Sequence, residues 1–242
     1  MQARTASSGV SKHGMPAAWK ISCPSCTSAS PSQQPTMRWG AAAASGTSAR
    51  DASYNGRNAT VSGGGGIWTA PSGTSRGSLA LNGTTTFLNP ANFTLGTGDF
   101  TIAGWVRLTG TADNQDAIVG QLGVGPDINF WQQRARLFTN DAAGDVAIAT
   151  ATVPLSTWAH YAFTRKNGRV NIYRNGVKDA GGAATGCWFG SMPVAVLGRG
   201  SAGFLAGGMD DLRVYDEALH PSEIATFAND DHSGLLGHWT FN

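Results

Sequence analysis

Acidic side chains are scarce in this chain: of 242 residues only 15 are Asp or Glu, and just two of those, Glu217 and Glu223, are glutamates. Glycoside hydrolysis, retaining or inverting, needs two carboxylates flanking one bond. Both glutamates stand around a predicted helix start, and no Gly-x-Ser-x-Gly or His-Glu-x-x-His occurs. A glycoside hydrolase is therefore the least favoured class. The formal net charge is only +2, which argues against a nucleic-acid or anionic-membrane partner. No apolar run approaches the ~18 residues of a membrane-spanning helix. An apolar secretory core is also missing near the start, so no signal peptide is expected. Cysteine is limited to Cys23, Cys26 and Cys187, an odd number that excludes a complete disulfide framework. Cys23-Pro-Ser-Cys26 has CxxC spacing, but zinc takes four ligands and no second pair accompanies it.

Glycine is abundant, with 33 residues, as expected of short strands joined by many turns. The clearest pattern runs from Trp158 to Asp179, where Asn167-Gly168 and Asn175-Gly176 each separate runs of alternating polarity. Asn-Gly in that setting marks a type I′ hairpin, because both central residues need positive φ. The pattern predicts three consecutive antiparallel strands, 158–166, 169–174 and 177–180. Further strands are predicted at 78–82 and 86–93 around Asn82-Gly83, and at 100–108, 117–121, 128–131, 134–139, 146–150, 194–197 and 207–215. His220-Pro221-Ser222-Glu223 opens a helix to about Asn229, with Pro in the first turn. Leu235–Phe241 reads as a closing strand. The sum is an all-β, two-sheet antiparallel β-sandwich of about 12–14 strands with one short C-terminal helix. Alternation places Phe100, Ile102, Val106, Tyr161, Phe163, Ile172, Leu212 and Val214 between the sheets.

Residues 1–36 differ from the rest. They hold eight Ser and four Pro, and their charges are Arg4, Lys12 and Lys20 with no acid. Such a segment cannot bury enough apolar surface to offset its ordering entropy. It is expected to be a flexible or docking N-terminal arm ahead of a sandwich domain at 37–242, with Trp19 and Ile21 as its anchors.

Three segments carry a family resemblance. Trp158–Thr164 with Val170–Val177, Gly98–Val106, and Gly208–Tyr215 with Ala218-Leu219 resemble, in order, the strands of a laminin-G-like (LamG-like) jelly roll of the concanavalin A-like lectin/glucanase superfamily. The resemblance implies a jelly-roll sandwich that hosts lectins, adhesive modules and glucanases. The loop around Asp51-Ala52-Ser53-Tyr54-Asn55-Gly56 resembles one that helps hold calcium in that family. It implies a calcium site at Asp51, Asn55 and Asp210 or Asp211, since calcium takes hard oxygen ligands. One further family Asp has no match here, where Trp39-Gly40-Ala41-Ala42 stands. The family's glucan-cleaving Glu-x-Asp-x-Glu is also missing.

The first function expected is thus a non-catalytic, lectin-like binding or adhesion module for a glycan or protein surface, displayed extracellularly or on a virus particle. Trp131, His160 and Trp188 are its candidate ligand contacts. The alternative is a bacteriophage structural protein, a head decoration or tail fibre, whose arm docks on capsid or other virion proteins. A homo-oligomer is compatible with either. Asp113, Asp116, Asp141 and Asp145 sit in loops, where such residues ordinarily cap backbone.

Overall fold

The structure is a computed structural model that describes residues 35, 37–39, 44–53, 55–64, 67–69, 77–91, 93–110, 113, 116–123, 125–141, 144–179 and 187–229. The arm with Trp19, Ile21, Cys23 and Cys26, and the strand expected at Leu235–Phe241, lie outside the described residues. Among the described residues the strands are β1 (Met37–Trp39), β2 (Ala44–Ser45), β3 (Ser48–Ala49), β4 (Ala59–Ser62), β5 (Ile67–Thr69), β6 (Ser78–Asn82), β7 (Phe87–Pro90), β8 (Phe93–Leu95), β9 (Phe100–Leu108) and β10 (Ala117–Gly120). There follow β11 (Asp127–Trp131), β12 (Arg134–Phe138), β13 (Asp145–Thr152), β14 (Ala159–Lys166), β15 (Arg169–Arg174), β16 (Val177–Lys178), β17 (Met192–Val194), β18 (Val196–Leu197), β19 (Ala206–Tyr215) and the helix α1 (Pro221–Asn229). None of the described helices is long and apolar enough to cross a membrane.

The hairpins from β14 to β16 form as their sequence dictates. Asn167 and Gly168 have φ of 51° and 76°, and Asn175 and Gly176 50° and 77°, the paired positive values of a type I′ turn. At Gly176 a Cβ would also fall 2.8 Å from Ala225 Cα, so the turn packs flat against α1. The first sheet has the order β16-β15-β14-β9-β19-β6-β5, with β1 also on β19, and the second runs β13-β12-β11-β10-β18-β7-β4-β3-β2. All pairings are antiparallel.

The strand count among the described residues exceeds the 12–14 expected, because the short strands β2 to β5 were not foreseen and because extended segments break. The strand expected at 86–93 splits into β7 and β8, and that at 194–197 is replaced by β17 and β18. The Asn82-Gly83 turn forms between its two strands. Asn82 Oδ1 accepts the N–H groups of Thr84, Thr85 and Thr86 at 3.0, 2.9 and 2.9 Å, and the chain passes from β6 in one sheet to β7 in the other. Asparagine side-chain capping, not hairpin pairing, makes that turn.

The core lies between the sheets. Phe100, Ile102, Val106, Tyr161, Phe163, Ile172, Leu212 and Val214 are all buried there, as alternation requires. Phe130 of the second sheet meets Tyr161 of the first edge-on, with ring centroids 5.2 Å apart. Outside the first sheet, α1 covers Ala103, Ala162, Tyr173 and Tyr215 with Ile224 and Phe227. Its start is a capping box: Glu223 Oε2 accepts the His220 N–H at 2.7 Å.

Tyr161 supplies the first test. Its hydroxyl is buried without a hydrogen-bond partner among the described residues, and burial pushes its ionisation well up, against the weaker pull of Arg174. A buried hydroxyl without a partner costs stability. Tyr161→Phe is therefore expected to be neutral or stabilising by up to about 1 kcal/mol, whereas Phe163→Ala should cost about 3–5 kcal/mol. Urea unfolding of the two variants checks both; a destabilised Tyr161→Phe would show that the hydroxyl has a partner.

Candidate functional site

The second sheet carries an unusual outer face. Along β11, Ile128 and Phe130 point into the core, so Asp127, Asn129 and Trp131 point out; along β12, Ala135 and Leu137 point in, so Arg134, Arg136 and Phe138 point out. Outward polar residues of an antiparallel sheet ordinarily face water. Here Asp127 and Asn129 are only 1% exposed and Arg136 5%.

A continuous hydrogen-bond chain accounts for that burial. Ser201 donates its N–H and O–H to Asp127 Oδ2 at 3.3 and 3.0 Å. Asn129 Nδ2 donates to Asp127 Oδ1 at 2.8 Å, and Arg136 Nε to Asn129 Oδ1 at 2.9 Å. Arg136 Nη1 then reaches Asp145 Oδ1 at 2.9 Å. The loop bearing Ser201 lies directly on the sheet: a Cβ at Gly200 would stand 2.9 Å from Asp127 Oδ2 and 2.7 Å from Ala117 Cβ. Burial raises the Asp127 carboxyl above its ordinary value despite Ser201 and Arg136. Burial likewise lowers the Arg136 guanidinium, with Asp145 and Asp127 opposing.

Aromatic rings flank this chain. The Arg136 guanidinium lies 5.0 Å from the Trp131 ring centroid and 4.6 Å from that of Phe138. A similar stack stands across the same face, where Arg199 lies 5.1 Å from the Phe87 ring centroid and 4.6 Å from that of Phe204. Phe87 faces outward because its neighbour Leu88 is in the core. The strand order from β12 to β7 is β12-β11-β10-β18-β7, so the stacks are separated by about 19 Å at about 4.8 Å per strand. The two arginines differ in one respect. Arg136 spends its donors on Asn129 and Asp145, while the Arg199 guanidinium has no hydrogen bond or ion pair to any described residue. All four rings are half-buried.

Of the ligand contacts expected from sequence, Trp131 belongs to this face. His160 does not: it is 2% exposed on the outer face of the first sheet, edge-on to Trp105 at 5.6 Å. Trp188 is 5% exposed beneath the Arg165 guanidinium, 4.8 Å away, which is packing. Asp127, Asn129, Arg136, Phe138 and Arg199 escaped the sequence reading. Their signal was the outward parity of Asp-Ile-Asn-Phe-Trp and Arg-Ala-Arg-Leu-Phe. The loop aspartates act on protein groups, as expected: Asp116 Oδ1 accepts the Ala206 N–H at 3.0 Å, and Asp141 Oδ1 the Thr139 hydroxyl at 2.6 Å.

The residues of the expected calcium site are partly brought together, around Arg38. Asp51 Oδ1 accepts the N–H groups of Arg38 and Ser53 at 3.1 and 2.9 Å, and its Oδ2 that of Arg57 at 2.9 Å. The side chain of Arg38 runs the other way, its Nε donating to Asp211 Oδ1 at 2.7 Å. Asp211 also holds Arg213, whose Nη2 lies 2.5 Å from its Oδ2. Asn55 is exposed and donates its amide to Ser53 O and Oγ at 3.4 and 3.2 Å; Asp210 is half-buried opposite Trp105 on β9. The donors here are N–H groups and guanidinium, a setting that does not fit a metal ion. Among the described residues no three His, Cys, Asp or Glu side chains form a metal-ligand group.

The sandwich, its turns and its terminal helix belong to a recognised architecture. A laminin G family model, that of the concanavalin A-like lectin/glucanases superfamily, matches residues 81–225, more than half of the chain, and the chain belongs to that family. No curated protein matches it. Among solved structures it is similar to domain 4 of AbnA, a GH43 extracellular arabinanase from Geobacillus stearothermophilus, solved with arabinotriose, at 22% identity and TM-score 0.65 over 81% of this chain and 98% of that one. It is also similar to the binding domain of Paraclostridial mosquitocidal protein 1, at 19% identity and TM-score 0.57 over 81% of this chain and 52% of that one. A sialidase of Trypanosoma rangeli, solved with the inhibitor DANA, matches at 18% identity and TM-score 0.58 over 85% of this chain but only 34% of its own. The fold is thus shared with binding domains and with enzymes.

The polar chain predicts a pH signature. A carboxyl that titrates higher folded than unfolded favours the fold when protonated, so the Asp127 charge costs stability near neutral pH and the cost fades as pH falls through the raised value. Asp127→Asn should therefore compare more favourably with the wild type at pH 7 than at pH 4, roughly the ordinary carboxyl range. Urea unfolding at both pH values measures this, and a stability difference that does not change with pH would refute it.

Proposed function

We propose that the chain is a non-catalytic glycan-binding module, displayed outside the cell or on a particle, and that the two arginine–aromatic stacks on the outer side of the second sheet take the sugar. The observation that carries this reading is the contrast between the stacks: one arginine is satisfied internally, while Arg199 is held over two rings with its donors uncommitted. Aromatic faces suit the C–H face of a sugar, and a guanidinium supplies fixed donors for hydroxyl or carboxylate oxygens. Half-buried Trp131, Phe138, Phe87 and Phe204 offer the first, Arg199 and exposed Arg134 the second. Family membership and the arabinotriose complex of the similar arabinanase domain support it further.

The use made of the carboxylates on this face supports a binding rather than a hydrolytic role. Asp127 is covered by the Ser201 loop and accepts from Asn129 and Ser201, and Asp145 pairs with Arg136. Glu223 caps α1. Neither arrangement leaves two carboxylates flanking one bond. A phage head decoration or tail fibre is a form this display could take, with residues 1–36 docking on virion proteins through Trp19 and Ile21; the net charge of +3 on that arm, from Arg4, Lys12 and Lys20, is what favours it.

A glycan array with the full chain, followed by calorimetry on the best ligand, tests the proposal. Wild type should bind, and Trp131→Ala and Arg199→Gln should each weaken binding at least about tenfold, the loss of roughly 1.4 kcal/mol, with a fall in Tm of no more than about 2–4 °C. Absence of any glycan ligand, or unaltered binding by both variants, would exclude this face. Release of reducing sugar from the bound glycan would turn the reading to an enzyme.

A further inference from the structure

We propose that Arg38 takes the place of the metal ion that the family resemblance implies, so that the first loop is locked to β19 without calcium. Residue 38 serves both partners at once. Its backbone holds the loop, through its N–H to Asp51 Oδ1 at 3.1 Å and through its carbonyl, which accepts the Ala52 N–H at 2.9 Å. Its side chain, outward on β1 because Met37 and Trp39 face the core, holds Asp211 at 2.7 Å. The two acidic segments that would share a cation thus share one arginine.

The geometry around Asp211 is built for this. Asp210 pairs with Trp105 and Arg213 with Ala103, so two residues of β19, Asp211 and Leu212, oppose the single Gly104 of β9. Asp211 sits in this β-bulge at φ 47°, a left-handed conformation that Asp tolerates better than most residues. Gly104 makes the bulge possible, since a Cβ there would lie 3.0 Å from Leu212 Cδ1 and 3.1 Å from Leu212 Cα. The bulge turns Asp211 to the outer face, between Arg38 and Arg213.

Calcium is disfavoured at this place on two counts. It takes about six to eight oxygens at about 2.3–2.6 Å, while the two Asp51 oxygens already accept three backbone N–H groups. A divalent ion touching Asp211 would also stand beside two guanidinium groups, and like charges at such range repel strongly. Asp211 already has two cations, Arg38 and Arg213, and Asp51 is satisfied by backbone N–H groups.

Thermal unfolding of the full chain decides the matter. Wild-type Tm should be the same in EDTA and in millimolar calcium. Arg38→Met keeps the stem but removes the charge; it should lower Tm by about 2–4 °C, and calcium should not restore it. A wild-type Tm that rises with calcium, or an Arg38→Met protein as stable as wild type, would overturn the assignment. If Arg38→Met fails to fold, calorimetric titration of the wild type with calcium chloride decides alone: no heat of binding supports the arginine lock, and a saturating heat refutes it. The outcome is independent of whether the second sheet binds glycan.

Discussion

Every backbone N–H and C=O of a buried strand needs a partner, and in this sandwich the demand falls hardest on β19. Of its ten residues, Gly207–Asp210 and Arg213–Tyr215 pair along one edge with β9. Along the other edge no single strand is long enough. β6 pairs with Ala206–Met209 and β1 with Leu212–Val214. The interval between them coincides with the bulge at Asp211. A bulge increases local twist, so the strand changes partner where its backbone already departs from the ladder. The Asp211 carboxylate and the Arg38 side chain then close the seam between the two partial neighbours.

The scarcity of acid shapes the rest of the electrostatics. Buried arginine is costly unless its donors are met, yet there are too few carboxylates near the core to meet them. Arg165, fully buried, gives its donors to the carbonyls of Gly96, Gly98 and Gly190 and lies between Phe100 and Trp188, 4.7 and 4.8 Å from the ring centroids. Arg213 combines Asp211 with the Phe227 ring, 4.2 Å away. Each stack contributes about 0.5–2 kcal/mol, more when water is excluded. Rings and carbonyls therefore do for arginine what acidic partners do in a more highly charged protein. This repeated solution makes Arg199 stand out: it has the rings without the carbonyls or the carboxylate.

Much of this fold was legible in the sequence, and the reason is local. Period-2 alternation fixes strand parity wherever one face is buried, which is why Phe100–Leu108 and the run from β14 to β16 read correctly. Asn-Gly needs only its own dihedrals to declare a turn. The Asn82 turn was legible as a turn, but not its form, which depends on three successive N–H groups reaching one side-chain oxygen, nor its destination, which depends on the other sheet. The short strands β2 to β5 carry too few residues for a period to show. The outer-face site was hidden for a related reason: in alternating strands, outward Asp, Asn and Arg look like ordinary solvated residues. Only the Ser201 loop, about 70 residues away in sequence, converts Asp127 and Asn129 from wet side chains into a buried chain. The Arg38 lock was equally invisible, since its two contacts span separations of 13 and 173 residues.

The outer face of the second sheet also meets the entropic requirement of weak-ligand recognition. Holding a flexible side chain still on binding costs about 0.5–1.5 kcal/mol each. Here the ordering is complete beforehand. Arg136 is fixed at both ends by Asn129 and Asp145, and its guanidinium in turn sets the planes of Trp131 and Phe138. The buried chain from Ser201 to Asp145 thus keeps these aromatic surfaces in place. Arg199 is held by rings alone, and that leaves its hydrogen-bonding edge as the part of the face still able to take an oxygen from outside.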